Sequence, residues 1–131
     1  MSAPPRIAFS TLAFPNATLA SAASLGRRWG YSGIELRLID GELIEPSMPA
    51  ARRAQVKRTL AAAGLPVVAV DSSVRLTGDD PGPELQQFLQ LASDWEAPRV
   101  RVFGGALAPT RPRRAGSSSG SRPACSRMRS R

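Results

Sequence analysis

Gly30-Tyr31-Ser32-Gly33-Ile34-Glu35-Leu36-Arg37 decides the fold: a helix-ending glycine leads through a short linker into an apolar strand that finishes on charged side chains. The plan recurs further along. Gly64-Leu65-Pro66 leads into Val67-Val68-Ala69-Val70-Asp71, and Ala97-Pro98 leads into Arg99-Val100-Arg101-Val102-Phe103-Gly104-Gly105. Each is a helix stop, then a β-rich run, then polar or glycine residues at the strand's exit. Together with Ile7-Ala8-Phe9-Ser10 they give four strand starts about 30 residues apart, the length of a βαβ repeat.

The segments between the strands read as helices. Leu19, Ala22, Ala23, Gly26 and Trp29 form one stripe of a 3.6-residue period, entered through a Pro15-Asn16 cap and closed by Gly30. Asp40 to Met48 reads as a loop. Pro49 then opens a second helix with Val56, Leu60 and Ala63 inward and Arg52, Arg53, Lys57 and Arg58 mostly on a solvated outer face. The third helix begins at Pro83-Glu84 and carries Leu85, Phe88, Leu89, Ala92 and Trp95 on one side. Strict alternation of strand and helix predicts a parallel sheet with right-handed crossovers.

Alternation within the strands separates two architectures. With Ile34 and Leu36 toward the helices, Glu35 and Arg37 point away; Ser10, Asp71 and Arg101 likewise oppose Phe9, Val70 and Val100. A doubly wound sheet has helices on both faces and needs both apolar. One polar face, charged toward the strand ends, suits a (β/α) barrel, whose inward side chains at the C-terminal mouth form the site. The expected fold is therefore α/β, a partial (β/α)8 barrel of about four units with parallel strands. A flavodoxin-like sheet is the alternative.

The formal charge of +8 is unevenly distributed. Residues 1–105 hold 11 Lys and Arg against 10 Asp and Glu, whereas residues 106–131 hold seven Arg and no acid. Nucleic-acid binding would rest on that tail alone and ranks below a small-molecule role. The tail's Arg, Ser, Gly and Pro cannot bury enough apolar surface to offset their ordering entropy, so 106–131 is expected to be disordered. A GC-rich gene read out of frame explains its composition best, since Arg far outnumbers the single Lys57; a true basic arm and an ordinary disordered terminus are the other origins. The single Cys125 rules out an intrachain disulfide, and the absence of His removes Ser-His-Asp and Cys-His catalysis by this chain. Arg6 with Ile7 to Phe14 imitates a secretion signal, but Ser10, Thr11, Pro15 and Asn16 break its apolar run. No apolar run reaches the roughly 18 residues of a membrane span, so no membrane partner is expected and the cytoplasm is the default compartment.

Gly30 to Arg37, taken with Val100-Arg101-Val102-Phe103-Gly104-Gly105, resembles the N-terminal half of the sugar phosphate isomerase/epimerase family. These are xylose isomerase-like TIM barrels, in a superfamily that includes the endonuclease IV-type enzymes. The resemblance covers residues 6–105 and makes 1–105 the N-terminal half of such a barrel. It implies a divalent metal and the isomerisation or epimerisation of a sugar or hydroxy-ketone through an enediolate, with a sugar or sugar-phosphate-like substrate. A full (β/α)8 barrel takes about 250 residues, and this chain has four repeats. The family holds its metal mainly by Glu, Asp, His and Glu on later strands that have no counterpart here. No residue is therefore assigned as a metal ligand or catalytic group, and the chain is expected to be inactive alone. The endonuclease branch uses His at the ends of earlier strands, where this sequence has Asp71-Ser72 and Gly104-Gly105; an endonuclease IV-like fragment ranks below the isomerase reading.

Substrate-binding candidates are the residues at the strand exits: Glu35, Arg37, Asp71, Ser72, Arg101, Gly104 and Gly105. A carboxylate such as Glu35 binds sugar hydroxyls, or moves a proton if desolvation raises its pKa; a structural ion pair with Arg37 or Arg101 is the competing role. Arg101 suits bidentate binding of a phosphate or carboxylate, or a structural pairing. Asp71 and Ser72 either bond a ligand or cap a turn. Gly104 and Gly105 would let a ligand approach backbone N–H groups. A four-unit arc also leaves its first and last strands unpaired at their outer edges, so a homodimer that rebuilds the ring competes with aggregation.

Overall fold

Glycines stop the helices where the sequence places them. Gly30 and Gly64 adopt φ of +85° and +62°, the left-handed conformation that L side chains resist. The computed structural model describes residues 6–106; the remaining residues of the basic tail, and with them its expected disorder, lie outside the described residues. Strand β1 (Ala8–Ser10) and a 3-10 turn (Thr11–Ala13) precede helix α1 (Leu19–Arg28). Strand β2 (Gly33–Leu36) is followed by a hairpin of β3 (Leu38–Ile39) and β4 (Glu42–Leu43), then helix α2 (Ala50–Ala62). Strand β5 (Val67–Arg75), helix α3 (Gly82–Asp94) and strand β6 (Val100–Phe103) complete the order.

The main sheet is parallel throughout, in the order β1-β2-β5-β6. Its strands follow chain order with no reversal. Crossovers of one hand then bring every helix to the same face, and the core lies there: Ile34, Leu36, Val70 and Val74 from the sheet are buried with Ala23, Val56, Leu60, Phe88 and Leu91 from the helices. Burial of each large side chain contributes roughly 1.5–3 kcal/mol. Helix α1 approaches β1 so closely that a Cβ on Gly26 would fall 2.2 Å from Phe9 Cε1.

Several details differ from the sequence reading. The Asp40–Met48 loop contains half of a hairpin, turned by Asp40 and Gly41 at φ +55° and +86°, the two positive angles of a tight β-turn. Helix α1 is capped two residues later than Asn16, because the Thr18 hydroxyl accepts from the Ser21 N–H at 3.2 Å and Asp40 Oδ1 accepts from the Leu19 N–H at 2.7 Å. Trp29 is not a core residue; it is 60% exposed and stacks at the surface on Phe14. Leu89 also faces out, and Leu91 takes the inward position on α3. Arg53 leaves the solvated face of α2: it donates to Met48 O and Pro46 O and pairs with Asp94 at 2.7 Å, while its own carbonyl accepts from Trp95 Nε1.

Candidate functional site

The face of the sheet away from the helices carries the titratable side chains, and a bulge decides which. Ile34 pairs with Val67 but Glu35 pairs with Ala69, so β5 holds one extra residue at this point. That residue inverts the strand's alternation. Val70 and Val74 are turned to the helices and Asp71 to the open face, beside Glu35 of β2. Without the bulge, Asp71 would enter the apolar core.

Thr11 fixes the next position. Its buried hydroxyl accepts from the backbone N–H groups of Arg37 at 2.9 Å and Leu38 at 2.8 Å, holding the end of β2 against the turn after β1. From there Arg37 Nη1 donates to the Asp71 carbonyl at 3.1 Å. Arg101, paired in register with Asp71, lies on the far side: its Nε is 3.0 Å from Asp71 Oδ1 and its Nη1 3.8 Å from Glu35 Oε1. Glu35, Arg37, Asp71 and Arg101 thus form one cluster across three adjacent strands.

The cluster is electrostatically uneven. Asp71 is 1% exposed, and among the described residues neither of its carboxylate oxygens accepts an aligned hydrogen bond. Burial pushes its carboxyl above the ordinary 3.8; the Arg101 guanidinium pulls the other way, Glu35 adds to the rise and Arg37 opposes it. Arg101, by contrast, has a half-exposed side chain. The result is a desolvated carboxylate covered by a guanidinium that reaches solvent: Asp71 anchors Arg101, Arg101 can hold an anionic group, and the partly exposed Glu35 can accept from hydroxyl groups.

The other sequence candidates fall elsewhere. Ser72 is fully buried on the helix side of β5; its hydroxyl donates to the Arg101 carbonyl at 2.7 Å and accepts from the Val74 N–H, filling the ladder where β5 and β6 lose register. Gly105 has φ +85°, and a Cβ there would fall 1.7 Å from Thr77 Oγ1, so its glycine serves the approach of the β5–α3 loop. Gly104 faces open space. Three of the four basic residues of α2 are committed to partners: Arg52 to Asp40, Arg53 to Asp94 and Lys57 to Glu96. Thr11 and Phe103, whose ring has the Arg75 and Arg101 guanidinium carbons 5.6 and 5.8 Å from its centroid, belong to the site's surroundings and were not legible as such.

The metal that the family resemblance implies does not fit these residues. Among the described residues no three His, Cys, Asp or Glu side chains converge, and between Glu35 and Asp71 a guanidinium occupies the position a cation would need. No helix among them is long and apolar enough to cross a membrane.

Fold and site together define a class: a singly wound parallel α/β sheet with helices on one face and a titratable wall on the other. No family model matches the chain, and no curated protein matches it. Among solved structures it is similar to an uncharacterized protein from Parabacteroides distasonis ATCC 8503, with a TM-score of 0.60 and 16% identity over 76% of this chain and 43% of the other. The chain therefore spans less than half the length of that structure, and the likeness speaks to the fold alone.

Proposed function

We propose that residues 6–105 are the first half of a barrel of the sugar phosphate isomerase/epimerase kind, whose inner wall binds a sugar or sugar-phosphate-like molecule and which has no turnover alone. The observation that carries this is the cluster of Glu35, Arg37, Asp71 and Arg101 on the helix-free face, which runs from the middle of β5 and β6 to the C-terminal end of β2. Barrel sites are built at that end of the strands. The architecture is supported by the unreversed strand order. It is supported too by length, since 76% of 131 residues equals 43% of a neighbour of about 230 residues, close to the size of a whole barrel.

In this reading the guanidinium of Arg101, anchored by the buried Asp71, holds the phosphate or carboxylate of the ligand, and Glu35 accepts from its hydroxyls. Arg37, tied to the Asp71 carbonyl, positions that strand. The residues of this chain supply binding and orientation of the ligand. A cytoplasmic location accompanies this reading.

Calorimetric titration of the full chain with a panel of sugar phosphates tests it. Saturable binding to at least one member, weakened tenfold or more in Arg101→Ala and unchanged in Lys57→Ala, is expected. Absence of binding across the panel, or equal binding by Arg101→Ala, contradicts it. The seven tail arginines favour a second reading, nucleic-acid binding through Arg111 to Arg131, which requires an affinity that falls steeply with salt and disappears with the tail.

A further inference from the structure

The two sheet edges match each other. In β1 the Ile7 carbonyl accepts from Ser32, and in β6 the carbonyls of Arg99, Arg101 and Phe103 are taken by Val70, Ser72 and Leu76 of the β5 side. Strand alternation then sends the main-chain groups of Ala8 and Ser10 outward from β1, and those of Val100 and Val102 outward from β6. Both edges run in one direction, at opposite ends of a sheet that never reverses order. Exposed edges with free N–H and C=O groups are templates for pairing.

The helix-free face is also self-compatible. Its charged cluster holds two carboxylates, Glu35 and Asp71, and two guanidiniums, Arg37 and Arg101, and is therefore neutral in sum. Toward the other end of the strands Ala8 lies beside Val68 around Gly33, whose absent Cβ would fall 2.4 Å from Val68 Cγ1, and Arg6 and Arg99 line the same hollow. The two clusters meet without net repulsion, each guanidinium gaining carboxylates opposite, while Arg75, Arg6 and Arg99 add positive charge outside them.

We propose that a second copy of this chain occupies that face: β6 of each copy pairs in parallel with β1 of the other, closing an eight-stranded ring with twofold symmetry and the two charged clusters facing one another. The inference rests on the barrel reading above, but needs no ligand. Twofold closure uses both edges of both copies and ends at two. The solved neighbour, in which the matched part is 43% of one chain, has room for a comparable second arc within a single polypeptide.

Sedimentation of the full chain, without ligand, gives the first measurement. A dimer at high micromolar concentration is expected; a monomer, or an open-ended series of larger species, overturns the proposal. Ala8→Pro removes an outward N–H from an exposed edge position, which a lone sheet tolerates, and is expected to give a monomer with the circular dichroism of the parent. A dimer unaffected by Ala8→Pro overturns it.

A second measurement does not depend on that variant folding. Cysteines replacing Ser10 and Phe103, in a Cys125→Ser background, lie three strand spacings apart within one copy, roughly 14 Å, but next to each other across the proposed seams. A bis-maleimide too short for the intrachain span should give covalent dimers in high yield, and their absence overturns the proposal. A monomer that still binds sugar phosphates through Arg101 would remove the dimer and leave the proposed function standing.

Discussion

Arg101→Met should destabilise the protein, by an amount that depends on pH. Asp71 is 1% exposed and Arg101 Nε, 3.0 Å from Oδ1, is its nearest positive charge. Breaking a fully buried ion pair by removing one partner costs about 3–5 kcal/mol, whereas exposed pairs contribute about 0–1. Arg101's side chain is half exposed and Arg37 remains nearby, so the expected loss is about 2 kcal/mol at pH 7. The sign follows from linkage. Burial already raises the folded-state pKa of Asp71 above 3.8, so the ionised group lowers stability as pH rises through the folded value. Removal of Arg101 raises that value further, so the deficit of the variant opens with rising pH and closes as pH falls below the folded value of the parent, where Asp71 is protonated in both proteins. Urea unfolding followed by circular dichroism at about pH 3 and at pH 7, at one protein concentration, measures it. Asp71→Asn combined with Arg101→Met should recover most of the pH 7 loss, because no unpaired charge remains. An equal loss at both pH values, or no recovery in the double variant, would refute the account of Asp71.

Two further predictions concern the frame around the cluster. Thr11→Val keeps shape but leaves the Arg37 and Leu38 N–H groups without their shared acceptor, and should cost about 1–3 kcal/mol in urea unfolding. Asp40→Ala removes the acceptor for the Leu19 N–H and the Arg52 partner, and should cost about 1 kcal/mol at pH 7. Asp40's carboxyl is held below 3.8, chiefly by the Leu19 N–H, so its contribution is present above 3.8 and fades as pH falls through the folded value; parent and variant should converge in acid.

Much of this fold could be read from punctuation. Gly30, Gly64 and Pro98 mark where helices end and strands begin, and Ile34-Glu35-Leu36-Arg37 shows its two faces by simple alternation. Val67-Val68-Ala69-Val70 does not, because a run of apolar residues carries no parity; the bulge that sends Asp71 to the open face appears only in the pairing with β2. The hairpin was available in Asp40-Gly41, whose residue types favour the positive φ that the turn uses. Periodicity alone places Trp29 and Leu89 inward; Trp29 lies one turn past Gly26, the last residue that α1 buries, and Leu89 is turned about 100° around α3 from the buried Phe88. Of the site residues, Glu35, Arg37, Asp71 and Arg101 were found from strand exits. Ser72's commitment to the Arg101 carbonyl depends on a loss of register that no local pattern encodes. Thr11 was missed for a similar reason, since its two acceptor bonds reach across 26 and 27 residues of chain.

The proposed function makes the helix-free face a ligand-binding wall. Nuclear magnetic resonance of the arginine Nε–H signals in the full chain, during titration with a sugar phosphate, tests it most directly. Saturable shifts at Arg101 and Arg37, with Arg52 and Arg53 unmoved in their ion pairs, are the predicted result. Shifts that spread equally over all four, or an Arg101 signal that never moves, would contradict it.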